Sequence, residues 1–474
     1  MITAPFLRCS GCGAAVEGPL PYRCPEADRD GGDHVLSRIG PPVGAVIATE
    51  GDPNPFIRYR TLSYSFKVAQ AHGLGDEDYV ALVRKMDGAV ASVDGRGFRV
   101  TPYLPSAKVA KVLPLEDKGL WIKDETGNVA GSHKARHLFG LAIHQAVAER
   151  LGLIGAADAS RPLAIASCGN AALAAGVVAR AAGRELRVFV PPWADQLLIE
   201  RLGALGASIE TCERRSVDPP GDPCHLRFRE AVKMGALPFS VQGSDNGLAI
   251  DGGMTLGFEL AAQSADVPID RLLIQVGGGA LASSVIQGLD WAYRLGVLAK
   301  RPAIHAVQTA SGFPLIRAWR RVARALIAEL GGAVGPGEDL STGTDASRGD
   351  ATAARWLSAH ADARAMEGAI AAAARDRARF MWPWQTEPKS LATGILDDET
   401  YDWLAIVRGM LVTGGWPMVA TESNILEAYC EGRAAPIVAS ATGAAGLAGA
   451  MTMAEAGLLS VKDRVAVIFT GIDR

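Results

Sequence analysis

Apolar and polar residues alternate along Leu120-Trp121-Ile122-Lys123, a pattern that predicts a strand, and Lys123–Asn128 then reads as a loop. Ser132 stands where a helix N-cap is wanted. The apolar positions after it, Leu138, Leu141, Ala142 and Ala146, recur at helical spacings of three and four. From Arg161 to about Gln242 the two periods alternate. Strands are predicted at Leu163–Ala166, Leu186–Val190 and Ser208–Thr211, with helices at Ala171–Ala182 and Leu197–Leu205 between them. That is the βαβ signature of a small parallel-sheet domain. Further strands are predicted at Leu272–Val276 and Val465–Phe469, and a helix at Tyr79–Met86. Gly335-Pro336-Gly337 and Thr342-Gly343-Thr344 mark residues 331–385 as an insertion lying on the larger domain, with Ala-rich helices within 351–373.

Length and charge narrow the class. The 474 residues, 49% of them hydrophobic, suffice for two or three domains around a large core. A net charge of −3 gives no electrostatic case for nucleic acid or an anionic membrane as partner. Residues 434–454 carry no charge, but Pro436, Gly443, Gly446, Gly449 and many small side chains keep them weakly hydrophobic, which predicts a buried helix rather than a membrane span. The first residues lack a basic segment followed by an apolar run, so no secretory signal is expected. Seven scattered cysteines do not form a disulfide framework. A cytoplasmic enzyme is the expectation.

Three strand-to-helix junctions carry candidate chemistry. In Gly131-Ser132-His133-Lys134-Ala135-Arg136-His137 a lysine lies at a helix start, where the amide dipoles disfavour its charge. Partial burial would lower its pKa further and yield an amine able to form a Schiff base with a carbonyl cofactor. Taken alone, the same lysine reads as an ordinary surface residue at a helix start. Ala164–Leu173 runs from a strand through Ser167-Cys168-Gly169-Asn170 into an Ala-rich helix, and Leu272–Leu281 runs through Gly277-Gly278-Gly279 into another. Glycines there let backbone N–H groups cradle a phosphate at a helix N-terminus. Gly277-x-Gly279-x-x-Ala282 also satisfies a dinucleotide-binding fingerprint, although Asp290 comes too early to be its ribose-binding acid. Near the start, Cys9-x-x-Cys12 is followed by Cys24, with Ala27 where a second knuckle would place its last cysteine. Cys9, Cys12 and Cys24, completed by Asp28 or His34, could hold a structural zinc. The alternative is a metal-free remnant of a zinc ribbon.

Lysine, Ser-x-Gly-Asn loop and glycine loop, in this order, resemble the fold-type II pyridoxal 5'-phosphate-dependent enzymes, the threonine synthase and threonine dehydratase-like group of the tryptophan synthase β-like superfamily. Asn54–Arg60, Thr101-Pro102-Tyr103-Leu104, Asp251–Thr255, Pro388–Ile395, Ala420–Ala428 and Ala439–Leu447 extend the resemblance. It implies an α/β fold of two domains, parallel sheets flanked by helices, with the cofactor in the cleft between them. Residues 1–50 would be a zinc-ribbon-like remnant, 51–155 and 246–474 the large domain, and 156–245 the small one.

Carried onto this sequence, the resemblance makes Lys134 the cofactor-holding lysine and the base at the substrate Cα. His133 and the Gly277, Gly278, Gly279 and Ala280 amides would hold the phosphate, Asn170 the ring oxygen and Thr470 the pyridine nitrogen. Ser167, Cys168, Gly169 and Ala171 would face the substrate, the last three through their amides. His133 departs from the phenylalanine usual before this lysine in threonine synthases and dehydratases. Pro388–Ile395 and Ala439–Leu447 favour a threonine synthase-like lyase acting on an O-phosphohomoserine-type substrate, which is the leading expectation. Lys134-Ala135-Arg136 and Gly277–Leu281 favour a serine/threonine ammonia-lyase or β-replacement synthase. A non-catalytic cofactor-binding protein is the reading from a different class. A homodimer with a small amino-acid substrate is expected.

Overall fold

The computed structural model describes residues 6–219, 221–434 and 437–473. Near the N-terminus β1 (Leu7–Cys9), β2 (Ala15–Val16) and β3 (Leu36–Arg38) form a small antiparallel sheet in the order β2-β1-β3. β4 (Tyr103–Pro105) and β5 (Leu120–Asp124) follow. β6 (Leu163–Ala166), β7 (Leu186–Val190), β8 (Ser208–Thr211) and β9 (Leu237–Pro238) build a parallel sheet in the order β8-β7-β6-β9. β10 (Arg271–Gln275), β11 (Ala303–Thr309), β12 (Met418–Ala420) and β13 (Val465–Phe469) join β4 and β5 in a six-stranded sheet, β12-β11-β10-β13-β5-β4. Only its edge strand β4 runs antiparallel.

The central strands are continuous apolar runs because both faces are covered. All five residues of β13, Val-Ala-Val-Ile-Phe, are buried. β13 lies between β10 and β5, in register from Val465 opposite Leu120 to Phe469 opposite Asp124. The strand nearest the C-terminus is thus central to the sheet, and Thr470 emerges beside the loop that leads to Lys134.

Helices then fix the loops. The Lys134–Arg150 helix crosses the Ala249–Gln263 helix at Gly140 and Gly252, where a Cβ on Gly140 would stand 2.7 Å from the Gly252 Cα. Only glycine permits that approach, which seats the Lys134 helix on the large sheet's outer layer. The Gly343–His360 and Ala363–Arg375 helices bury Ala351, Ala354, Leu357, Met366 and Ile370 in the same core as Trp319 and Trp403. Residues 343–375 therefore contribute to the large core. The uncharged stretch forms the buried Ala441–Glu455 helix, with Pro436 outside the described residues. Among the described residues no helix is long and apolar enough to cross a membrane.

One local expectation fails. Ser132 does not cap the helix: its backbone is extended (φ −163°, ψ 163°) and bridges to Gly471, and its hydroxyl is buried without a partner. The helix starts at Lys134 with His133 in the cap position and no side-chain cap. A tertiary pairing has taken the backbone that capping would have used.

Candidate active site

The carboxyl ends of β5, β6, β10 and β13 open onto one cleft of about 1810 Å³. Crevices at the carboxyl ends of parallel strands are where open α/β sheets bind ligands. Every cofactor- and substrate-facing residue expected from the sequence lines it: His133, Lys134, Ser167, Cys168, Gly169, Asn170, Ala171, Gly277, Gly278, Gly279, Ala280 and Thr470. Two of these loops are stitched together by backbone bonds. His133 N–H donates to the Thr470 carbonyl (3.1 Å) and Ile472 N–H to that of Gly131 (3.1 Å).

Lys134 is the first residue of its helix. Burial lowers its pKa, partly opposed by the Asp397 and Asp402 carboxylates. Next to it, burial and the Lys134 charge push His133 well below the usual imidazole range. Neutral His133 sets its Nδ1 on the Thr470 carbonyl at 3.2 Å; since a carbonyl only accepts, Nδ1 carries the proton. Its Nε2 is buried with no partner.

Thr470 is positioned by a residue that sequence patterning did not single out. Gln275, at the end of β10, aims its Nε2 at the Thr442, Gly443 and Ile468 carbonyls (3.0, 2.7 and 3.1 Å) and at Thr470 Oγ1 (3.1 Å). Three carbonyl partners fix which end of the amide is the nitrogen. The Thr470 oxygen therefore accepts from Gln275, and its own O–H is left to donate into the cleft. A glutamine closing an apolar strand immediately before three glycines was the available signal.

The glycine loop leads into the Ala280–Arg294 helix, with Gly279 left-handed at φ 100°. Its outer side is held by a second set of residues that the sequence reading passed over. Thr400 Oγ1 donates to the Gly277 carbonyl (3.0 Å) and Asp402 N–H to that of Gly278 (3.1 Å). The Asp397 carboxylate stands against this loop, and a Cβ on Gly277 would collide with it. Burial raises Asp397 to about 6, against the pull of Lys134, and Asp402 to about 7. From sequence, Asp397-Asp398-Glu399 is an acidic run indistinguishable from a solvated turn. Asp290 lies within the helix and pairs with Arg294 and Arg301, far along from where a ribose-binding acid would stand.

On the small sheet, Gly169 caps the Asn170–Ala181 helix and its N–H reaches Ser167 Oγ at 3.3 Å. The Asn170 amide nitrogen lies 3.0 Å from where a Cβ on Gly471 would be, so this loop touches the Thr470 loop. Burial raises the Cys168 thiol, which keeps it protonated and unsuited to nucleophilic attack.

Behind Lys134 lies a buried ion cluster. Arg136 bonds Glu125 (2.7 and 2.9 Å) and Glu259 (2.7 and 3.2 Å), and Lys123 Nζ bonds Glu259 at 2.6 Å. Two cations and two anions cancel, and Thr101 adds hydrogen bonds to both carboxylates. The cluster ties the strand, the lysine helix and the Ala249–Gln263 helix together. Away from the cleft, Cys9, Cys12 and Cys24 meet at His34, whereas Asp28 is turned out to Arg23.

A family model described as pyridoxal-phosphate dependent enzyme matches residues 96–376. The chain belongs to that family. Among curated relatives, it is 29% identical over 207 residues to the serine dehydratase-like protein of Mus musculus, covering 43% of this chain and 56% of that one. It is 26% identical over 198 residues to an L-serine dehydratase of Saccharomyces cerevisiae, covering 40% and 55%. The chain thus matches little more than half the length of these relatives. The serine racemase of Dictyostelium discoideum superposes with a TM-score of 0.55 at 14% identity, over 83% of this chain and 98% of that one. Diaminopropionate ammonia lyase from Escherichia coli gives 0.55 at 16%, over 84% and 89%. These likenesses show the fold, that of the fold-type II members.

The residues present fit the family's cofactor. An amine of lowered pKa, a glycine loop at a helix N-terminus and a hydroxyl whose O–H is free to donate face one cleft. One feature constrains the fit: the Asp397 carboxylate stands against the loop.

Proposed function

We propose that this chain is a pyridoxal phosphate-dependent ammonia-lyase, removing the β-hydroxyl of serine or threonine and releasing ammonia and a 2-oxo acid. When bound, pyridoxal phosphate supplies the electron sink that makes the substrate Cα proton removable. Lys134 anchors it and takes that proton at Nζ, which burial keeps closer to neutrality than an exposed lysine. The Gly277–Ala280 amides would hold the phosphate and Asn170 would orient the ring, whereas neutral His133, with its proton on Nδ1, has no donor left for the phosphate. Thr470, presented by Gln275, donates to the pyridine nitrogen and leaves it unprotonated. The amides at Cys168, Gly169 and Ala171 take the substrate carboxylate at a helix start.

The observation that carries the choice of substrate is the acidic wall. Asp397 and Asp398 line the cleft half-buried, whereas Arg201, Arg214 and Lys389, its cations besides Lys134, are exposed. A phosphorylated substrate would set a second dianion beside these acids and add to the cost of keeping them protonated, while the neutral side chains of serine and threonine avoid that cost. The curated relatives are named for serine dehydration, which supports the same choice.

The test offers serine, threonine and O-phosphohomoserine to the purified protein and follows 2-oxo acid and phosphate release. Oxo acid from serine or threonine is the expected result. Phosphate release from O-phosphohomoserine alone would replace this reading with a threonine synthase. No turnover with any of the three would leave a binding protein on the same fold.

A further inference from the structure

Outside the cleft, four soft ligands converge near the N-terminus. The ligand atoms of Cys9, Cys12, Cys24 and His34 all lie within 4.8 Å of one another. Cys9 Sγ is 3.4 Å from His34 Nδ1, and Cys12 Sγ is 3.6 Å from Cys24 Sγ. Ligands about 2.3 Å from a tetrahedral ion stand about 3.5–3.8 Å apart, so both pairs are already at coordination spacing. The surroundings are those of a metal site. His34 Nε2 is held by the Asp30 carboxylate at 2.9 Å, the arrangement that fixes the ring of a metal-bound imidazole. The Glu26 N–H reaches Cys24 Sγ at 3.4 Å, and Cys9, Cys24 and His34 are buried. The knuckle that lacks its cysteine at Ala27 is thus completed from the strand side of the ribbon.

The residues beside His34 lead to the cofactor cleft. Val35 packs on Gly243, where a Cβ would lie 3.2 Å from it, and the Gly243 N–H donates to the Asp402 carboxylate at 3.2 Å. Asp402 N–H in turn holds the Gly278 carbonyl. From the other arm of the ribbon, the Tyr22 carbonyl accepts the Gly247 N–H at 2.8 Å, and Leu36 leaves no room for a side chain on Gly247. Two arms of the ligand cluster therefore grip residues 243–247, and one more contact reaches the glycine loop.

We propose that Cys9, Cys12, Cys24 and His34 bind one zinc ion, and that the site braces the Gly277–Gly279 loop from behind through Val35, Gly243 and Asp402. Zinc here does no chemistry on substrate: it fixes a ribbon too small to hold its own core and so fixes what the ribbon supports. The proposal is independent of which amino acid the enzyme uses.

The full chain, produced with zinc supplied, is expected to carry one zinc by elemental analysis, and His34→Ala or Cys12→Ser to carry almost none. Asp30→Asn, a milder change, is expected to weaken zinc binding roughly 10- to 100-fold while the protein stays folded. Stripping zinc with a chelator is expected to raise the Kd for pyridoxal phosphate severalfold, with zinc return reversing it. A folded full-length protein without zinc, its thiols titrating freely or Cys12 and Cys24 joined as a disulfide, would overturn the site. An unchanged Kd in the zinc-free folded protein would overturn the bracing.

Discussion

Replacing Asp397 by asparagine isolates the carboxylate that sits on the glycine loop. Burial holds Asp397 at about 6, so at pH 8 it is ionised and stands against the loop whose amides a phosphate would need. A phosphate on the loop would stand against that carboxylate, so binding favours neutral Asp397, and full exclusion of the ionised form sets the largest effect. Keeping it neutral costs ~1.4 kcal/mol for each pH unit above its pKa, or about 2.7 kcal/mol at pH 8. The sign follows: wild-type affinity falls as pH rises through 6, and the asparagine variant escapes that loss. The ratio of wild-type to variant Kd should be near one at pH 5 and climb to about a hundred at pH 8. Ionisation of the cofactor is common to both proteins and cancels in the ratio. Removing Asp397 also lowers Lys134, which favours its free amine and acts in the same direction. Cofactor titration followed by absorbance, repeated at each pH, measures it. A ratio that stays within twofold from pH 5 to 8 would refute the idea that Asp397 competes for the cradle.

Three further changes separate the roles of the neighbouring groups. Lys134→Ala should still bind the cofactor through the Gly277–Ala280 amides in equilibrium dialysis but lose roughly 10²- to 10⁴-fold in oxo-acid release; retained turnover would mean the lysine is misassigned. Thr470→Ala deletes a hydrogen bond of about 1 kcal/mol net, so kcat should fall about fivefold with the cofactor still bound, and Thr470→Ser should restore it. Arg136→Ala leaves Glu125 and Glu259 facing Lys123 alone, and chemical denaturation should show a loss of about 3–5 kcal/mol. A loss under about 1 kcal/mol would show that the cluster had relaxed or admitted water.

Local pattern carries its own physics, and it was enough for much of this chain. The alternation over 161–242 gave three of the four strands of the small sheet, and the apolar run at 465–469 gave β13, because covered strands must be apolar whatever lies beside them. Glycines and a lysine at strand-to-helix junctions marked the cleft, since only those positions combine exposed amides with a carboxyl strand end. What the sequence could not determine was which partner each polar group would find. Ser132 has the chemistry of a cap, but Gly471 took its backbone. Gln275, Arg136 and Asp397 are ordinary polar residues by composition. The first positions a hydroxyl and the second balances a buried cluster, while the third stands against the glycine loop. Gln275 and Thr470 are 195 positions apart in the chain. A hydrogen bond or ion pair acts over a few ångströms and takes its worth from local burial, and both are set only when distant strands close into one sheet.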